Sequence, residues 1–499
     1  MVVFPAILIN AFLFIAFVVS AADVPPTILT NGRGAICRWV PNYAHNNTDS
    51  YIRLLVDDSI AAHKIPGLIF RYQDIVNFTS IPTIETFEKL YSLNKTELYE
   101  EMLGEDGQFS LDTYEGHSVD DSMLWSGIID NDITFSIPVS GMYCVYIAPS
   151  STISSGYRLP IEIGKRYGSL NYIRYLRYKS LKWVTVLSVS FFAMGNYYIP
   201  GFKSGPQSLT SVQAVTRTLV TLISLPFITK SVLELVYLSI RNNYYATYQT
   251  SPLLVNLKLI SKFTDYFHSA FTSYAVLLFS MGFGVVYYYH DNLVNFRKLP
   301  SGLFRKATAL LAIQVVIILL YVYCQKQHDQ FIEYSGPSLL MLLSAVILNA
   351  LWTLFSIIWL ATSVLFVSKT KKRISALSTK LDMKSTSETY SAFKKSVVTM
   401  WVLPIIIRTV CHVATFVWKA IYLYAKVVDE DTVDTNPELS IHEFKQESVT
   451  QMRNEVISNQ IGALKDIWMN WLCIVSTLTV VVIIWVKSSK VLEIKHKNT

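Results

Sequence analysis

The chain has 499 residues, 52% hydrophobic and only 16% charged, with a mean hydropathy of +0.35. That balance excludes an ordinary water-soluble enzyme and points to an integral membrane protein. The net charge of +7 does not gather in one basic patch. Lys and Arg lie mainly between apolar runs, which fits membrane topology and argues against a nucleic-acid partner.

Residues 1–22, "MVVFPAILINAFLFIAFVVSAA", carry no charged side chain and end in small residues before Asp23. We read a cleaved secretory signal, with an uncleaved first span as the alternative. Residues 23–178 hold no apolar run of the roughly 20 residues that a spanning helix needs. Short β-rich runs recur there ("YIRLLV", "GLIFRYQDI", "DITFSIPV", "MYCVYIA"), separated by Gly, Pro, Asp and Asn. This pattern predicts a mainly β, sandwich-like domain. One insert, "TIETFEKLYSLNKTELYEEML", reads as helix. Asn46, Asn77 and Asn94 head N-glycosylation sequons.

Seven apolar runs follow, near 181–199, 212–240, 269–290, 304–324, 338–368, 396–425 and 466–486. Each is long enough to cross a bilayer, and together they predict a seven-helix transmembrane bundle over 179–486, with a tail at 487–499. With the β domain in the lumen, Lys and Arg are in excess in the segments that then face the cytosol, above all 369–395. The loop before the seventh run is acidic. The expected topology is multi-pass, N-lumenal and C-cytosolic.

An oxidising lumen gives the β domain's two cysteines a reading. Cys37 and Cys144 are expected to pair, closing a loop of about a hundred residues worth about 4 to 5 kcal/mol in chain entropy. Cys324, Cys411 and Cys473 fall in or beside the spans and are read as packing. No CxxC and no zinc-ligand spacing occurs, so no metal site is predicted.

Several stretches together resemble one family. "SGMYCVYI" resembles the "G-[FY]-Y-C-V" strand of the Golgi-dynamics-domain seven-transmembrane (GOST, or lung seven-transmembrane) proteins, distantly similar to Wntless. "GYRLPIEIGKRYGSLNYIRYLRY" resembles their approach to the first span. Gln213, Glu234, Tyr237 and Asn242 match a second-span pattern, and "LLFSMGFGVVYY" is similar to the third span. "KLDMKSTSETYSAFKKSVV" resembles the family's cytosolic loop, and "IIWVKSSK" falls where the family has "L-W-R-P-S". Thr389-Tyr390-Ser391 stands in place of "M-Y-R", and the last element lacks its Arg and Pro. The chain therefore resembles a divergent, fungal-type member. The resemblance implies a lumenal Golgi-dynamics-like (GOLD-like) sandwich, seven spans, a Golgi location and a cavity among the spans able to hold a phospholipid, with Glu234 at that cavity.

Ionisable side chains within apolar runs are costly and point to function. Lys230 and Glu234 stand four apart, as do Arg408 and His412, near Pro226 and Pro404, which can kink their helices. The sharp reading is a polar cavity for a lipid headgroup, solute or ion. The bland one makes Lys230–Glu234 a self-contained pair and has Arg408 hydrogen-bonding a neighbouring helix. Of the histidines, His412 is read as buried in a span, with His268 at a span end. Gly282 and Gly284 are read as close helix packing. HExxH, GxSxG and P-loop motifs are absent, so no enzyme and no resident cofactor beyond a bound phospholipid is expected. Lys495 and Lys497 in "KHKNT" match the K-x-K-x-x signal read by the COPI coat. The combined expectation is a trafficking factor cycling between Golgi and endoplasmic reticulum. Its lumenal domain would bind cargo or a partner, and its bundle would hold a lipid. The alternative is a channel or small-solute transporter around Glu234.

Overall fold

The computed structural model describes residues 27–30, 33–42, 50–57, 65–92, 102–148, 158–165, 167–195, 208–287, 299–332, 339–377, 383–427 and 437–497. The signal segment and the sequons at Asn46 and Asn94 lie outside these residues.

Among the described residues the N-terminal region holds eight strands: β1 (Ile28–Thr30), β2 (Ala35–Val40), β3 (Tyr51–Leu54), β4 (Ile65–Arg71), β5 (Leu124–Ile129), β6 (Ile133–Ser136), β7 (Gly141–Ile147) and β8 (Arg158–Gly164). They form two four-stranded sheets, ordered β1-β8-β3-β6 and β2-β7-β4-β5. Both sheets contribute to one core, with Ile52, Leu159 and Ile161 from the first and Ile36, Ile69, Val145 and Ile147 from the second. The alternation of "GMYCVYI" explains β7. Tyr143, Val145 and Ile147 point into that core, while Cys144 and Tyr146 point to the opposite face. A second apolar cluster covers that opposite face, so β4 is buried on both sides and reads as a continuous apolar run. Cys37 lies directly opposite Cys144 in the β2–β7 register. The two form a disulfide with Cα atoms 4.0 Å apart and 107 positions between them. Helix α1 spans Ile84–Ser92, and residues 93–101 of the predicted insert lie outside the described residues.

Seven long helices follow among the described residues: α2 (Tyr172–Ala193), α3 (Ser208–Tyr244), α4 (Pro252–Ser280), α5 (Ser301–Ile332), α6 (Leu339–Leu377), α7 (Met383–Val427) and α8 (Pro437–Lys497). Five of them, α3 and α5 to α8, hold segments long and apolar enough to cross a membrane. The chain is thus a β region followed by a helical region with several candidate spans, as befits a multi-pass membrane protein. Asn171 caps α2 by accepting from the Arg174 N–H at 2.9 Å, so the helical region begins before the expected boundary at 178. Ser251 caps α4, with Pro252 in its first turn. Helix α4 contributes to both apolar clusters of the helical region, through Ala275 and Phe279 in one and Phe263, Phe267 and Leu278 in the other.

Two expectations change here. The third apolar run does not form one helix to 290, because α4 ends at Ser280. Gly282 and Gly284 follow with φ of 96° and 85°, the left-handed region that glycine adopts without strain. These glycines turn the chain out of the helix and also sit close against other helices, where an added Cβ would lie 3.2 Å from Thr370 Cγ2 at Gly282 and 3.4 Å from Thr218 at Gly284. The helix that holds the seventh run does not end with it either, because α8 continues to Lys497, carrying Lys495 and Lys497 in helical backbone, beyond a candidate span that ends at Ser488.

The β region is tied to the helices by the loop after α3. Thr247 Oγ1 donates to the Ile161 carbonyl at 3.0 Å and accepts from the Ile163 N–H at 3.2 Å. Thr27 Oγ1 donates to the Thr247 carbonyl at 2.8 Å.

Candidate functional site

Apolar helices expose few places for a polar side chain, so polar residues that recur every three or four positions mark a shared face. Four helices carry such faces. Helix α3 supplies Lys230 and Glu234, and α4 supplies Asp265, His268, Ser269 and Thr272. Helix α7 supplies Trp401, Arg408 and His412, and α8 supplies Asp466, Asn470, Cys473 and Thr477. These faces surround two adjoining cavities.

The smaller cavity has a volume of about 150 Å³ and is lined mainly by charged groups, among them Arg177, Lys230, Glu234, Asp265 and Asp466. The larger, of about 630 Å³, runs along α4, α7 and α8 and mixes polar with apolar walls. Lys230, Asp265, His268, Arg408 and His412 line it, beside apolar side chains such as Ile223, Met400 and Leu478. Lys230, Asp265 and Asn470 border both cavities and so form the partition between them. The larger volume falls within the range of small-molecule sites, and its walls combine apolar surface with a few convergent polar groups.

The ion pairs differ from the local one expected. Lys230 pairs with Asp265 of α4, and Glu234 pairs with Arg177 of α2. The self-contained Lys230–Glu234 pair is therefore corrected. A helical i,i+4 pair gives only a few tenths of a kcal/mol, and here each charge finds a partner on a neighbouring helix. Both members of the expected pair are buried, Lys230 at 7% and Glu234 at 8% exposure.

His412 lies within the candidate span of α7, with its side chain on the outer surface of the helical region and Nδ1 3.2 Å from Lys465 Nζ. An apolar run fixes the helix and not the face. His268, expected at a span end, lies well inside α4 and packs against Phe227 with ring centroids 5.3 Å apart. Pro404 sits within continuous α7 and lines the larger cavity, and its carbonyl accepts from Cys473 Sγ at 3.8 Å. The structure thus brings Lys230, Arg408 and His412 to the larger cavity and Glu234 to the smaller. Asp265, Trp401 and Asn470 were missed by sequence reasoning. The spacing 265, 268, 269, 272 within α4 is the signal that would have found the first.

Two polar atoms at the larger cavity are unsatisfied. Trp401 Nε1 and Thr477 Oγ1 are buried without a hydrogen-bond partner among the described residues. Both residues line the cavity that Arg408 also lines. A buried donor left unpaired costs about 1–3 kcal/mol, so this cavity is chemically suited to an acceptor-rich ligand. Among the described residues, no group of three His, Cys, Asp or Glu side chains is arranged to hold a metal ion. No protein-family model matches the chain, and no curated protein matches it.

Proposed function

We propose that the chain is a seven-span membrane protein of the Golgi and early secretory pathway, with its β region in the lumen. In this reading the helical region holds an amphipathic lipid and the β region binds cargo or a partner protein. The observation that carries the lipid is the 630 Å³ cavity, lined by Arg408, Trp401 and Thr477 together with apolar side chains. A cationic group and two hydrogen-bond donors suit a phosphate-bearing headgroup, and the apolar walls suit acyl chain. The Golgi setting and the trafficking role rest on the resemblance described above.

Purification in mild detergent, followed by mass spectrometry of retained lipids and proteins, tests this reading. One enriched phospholipid, lost in Arg408→Gln, together with secretory cargo or coat subunits, is the expected result. Recovery of neither lipid nor partner would overturn it. The second reading, ion or solute transport, is favoured by the smaller cavity, where Arg177, Lys230, Glu234, Asp265 and Asp466 converge. It predicts flux through reconstituted protein that changes in Glu234→Ala.

A further inference from the structure

Helix α8 is a single rod of 61 residues. Its middle, at Asp466 and Asn470, lines both or one of the cavities. Its first turns lie instead against the β region, where Val449 and Met452 join the apolar cluster behind β7. Lys445, buried at 3% exposure, donates to the Thr79 carbonyl at 3.3 Å and to the Phe78 carbonyl at 2.5 Å. The Tyr72 and Ser448 hydroxyls meet at 2.7 Å. These contacts join positions more than 360 residues apart.

One patch of this interface is built from titratable groups. The His442 ring stands edge-on to Tyr114 at 5.7 Å and 5.8 Å from the ring of His117. The Lys445 ammonium lies 5.8 Å from the same Tyr114 ring. His442 Nε2 is buried without a hydrogen-bond partner among the described residues, so a proton there would have no acceptor. The other charged groups nearby do not compensate. Asp112 and Glu115 of the β region and Glu443 and Glu447 of α8 are exposed, and Asp112 takes the Ser110 hydroxyl at 2.6 Å. Glu438 stands one turn ahead of His442 along the helix. Among the described residues, no salt bridge reaches Lys445, His442 or His117.

We propose that His442, His117 and Lys445 form an acid-released latch between the β region and α8. With both imidazoles neutral, the rings pack around Tyr114 and the helix is held. Proton uptake places new positive charge beside the Lys445 amine and forces a buried N–H without an acceptor, so the latch opens. Histidine is the side chain that ordinarily changes charge between about pH 5 and 8. Release at this end frees a rod whose cavity-lining residues lie about 30 Å further along the same helix. The latch stands independently of what fills either cavity.

Hydrogen exchange of the full chain in nanodiscs, at about pH 7.5 and about pH 5.5 with intrinsic rates corrected, reads it directly. At the lower pH, exchange in residues 72–79 and 442–452 should rise together by about tenfold, a shift equivalent to one proton-linked pH unit. His117→Gln/His442→Gln should stay protected at both. Wild-type protein equally protected at the two pH values overturns the latch, as does a double variant that opens like the wild type. His117 is exposed, so His117→Gln alone keeps the fold if the double variant does not. An acid response unchanged in that single variant also overturns the proposal.

Discussion

The ion pair that partitions the two cavities makes a prediction with a definite asymmetry. Lys230 has a side chain only 9% exposed, while that of its partner Asp265 is 46% exposed. Removing the carboxylate in Asp265→Asn strands a buried ammonium, a loss that costs about 3 to 5 kcal/mol when the orphaned charge is fully buried. Removing the ammonium in Lys230→Met leaves a half-exposed carboxylate that water can solvate, so its cost stays below about 1 kcal/mol. The methionine also suits the neighbouring Phe227 ring, over which Lys230 now lies at 5.8 Å. The midpoint of unfolding in mixed micelles, followed by tryptophan fluorescence, measures both. Glu234 complicates the first variant, because it stands one helical turn from Lys230 and can take over as partner only by releasing Arg177. Asp265→Asn/Glu234→Gln should therefore cost more than the two single changes added together. Equal losses for Asp265→Asn and Lys230→Met would refute the reasoning, and so would strict additivity in the double variant.

Four further outcomes follow from the fold. Cys37→Ser/Cys144→Ser opens a loop of 107 residues and should lower the stability of the β region by about 4 to 5 kcal/mol at most, read by denaturant unfolding with and without reductant. Gly282→Ala places a side chain at φ +96°, with its Cβ 3.1 Å from Val286 Cγ2 and 3.2 Å from Thr370 Cγ2; the left-handed backbone alone costs about 1–2 kcal/mol. Gly462→Ala, within α8 and with open space around the added Cβ, should instead raise the unfolding midpoint, by roughly 0.5–1 kcal/mol. At the junction of β8 and α2, burial and then the Arg38 guanidinium pull Lys165 down to about 7. The unfolded chain holds that proton up to about pH 10.4, so stability should rise with pH between about 7 and 10.4 and stay level below; Lys165→Gln should flatten that rise.

How much of this was legible depended on how local the signal was. Alternation in "GMYCVYI" is a property of seven consecutive residues, and it marked β7 and both its faces. The cysteine pair was legible because only Cys37 and Cys144 fall in the β region. The seven apolar runs each fell on a helix, but their ends did not match. Lys258, Lys262 and Asp265 hid the first turns of α4 under polar composition, and Gly282 ended that helix by backbone conformation. Face and partner were beyond local pattern. Lys230 and Glu234 satisfy the i,i+4 rule, yet each binds across to another helix, because tertiary pairing outweighs a local contribution of a few tenths of a kcal/mol. The docking of Lys445 on Phe78 joins residues 367 positions apart, and nothing within either segment announces the other.

The chemistry of the two cavities also bears on the choice between lipid and ion. In the smaller one the charges are mostly spent on each other, Arg177 against Glu234 and Lys230 against Asp265. Asp466, which lines the same cavity, is in no salt bridge among the described residues, so it is the carboxylate left there for a cation. In the larger one Arg408 is in no salt bridge among the described residues, and the unsatisfied Trp401 N–H and Thr477 hydroxyl line the same cavity. Charge-assisted hydrogen bonds to a phosphate are about twice as strong as neutral ones, so Arg408 is the position where an acidic headgroup gains most. Native mass spectrometry of protein reconstituted with equal parts phosphatidylcholine and phosphatidic acid should show the acidic lipid retained in preference. Arg408→Gln should erase that preference, whereas Glu234→Ala, acting in the other cavity, should leave it intact. Loss of the preference in Glu234→Ala with retention in Arg408→Gln would exchange the roles of the two cavities and favour the transport reading.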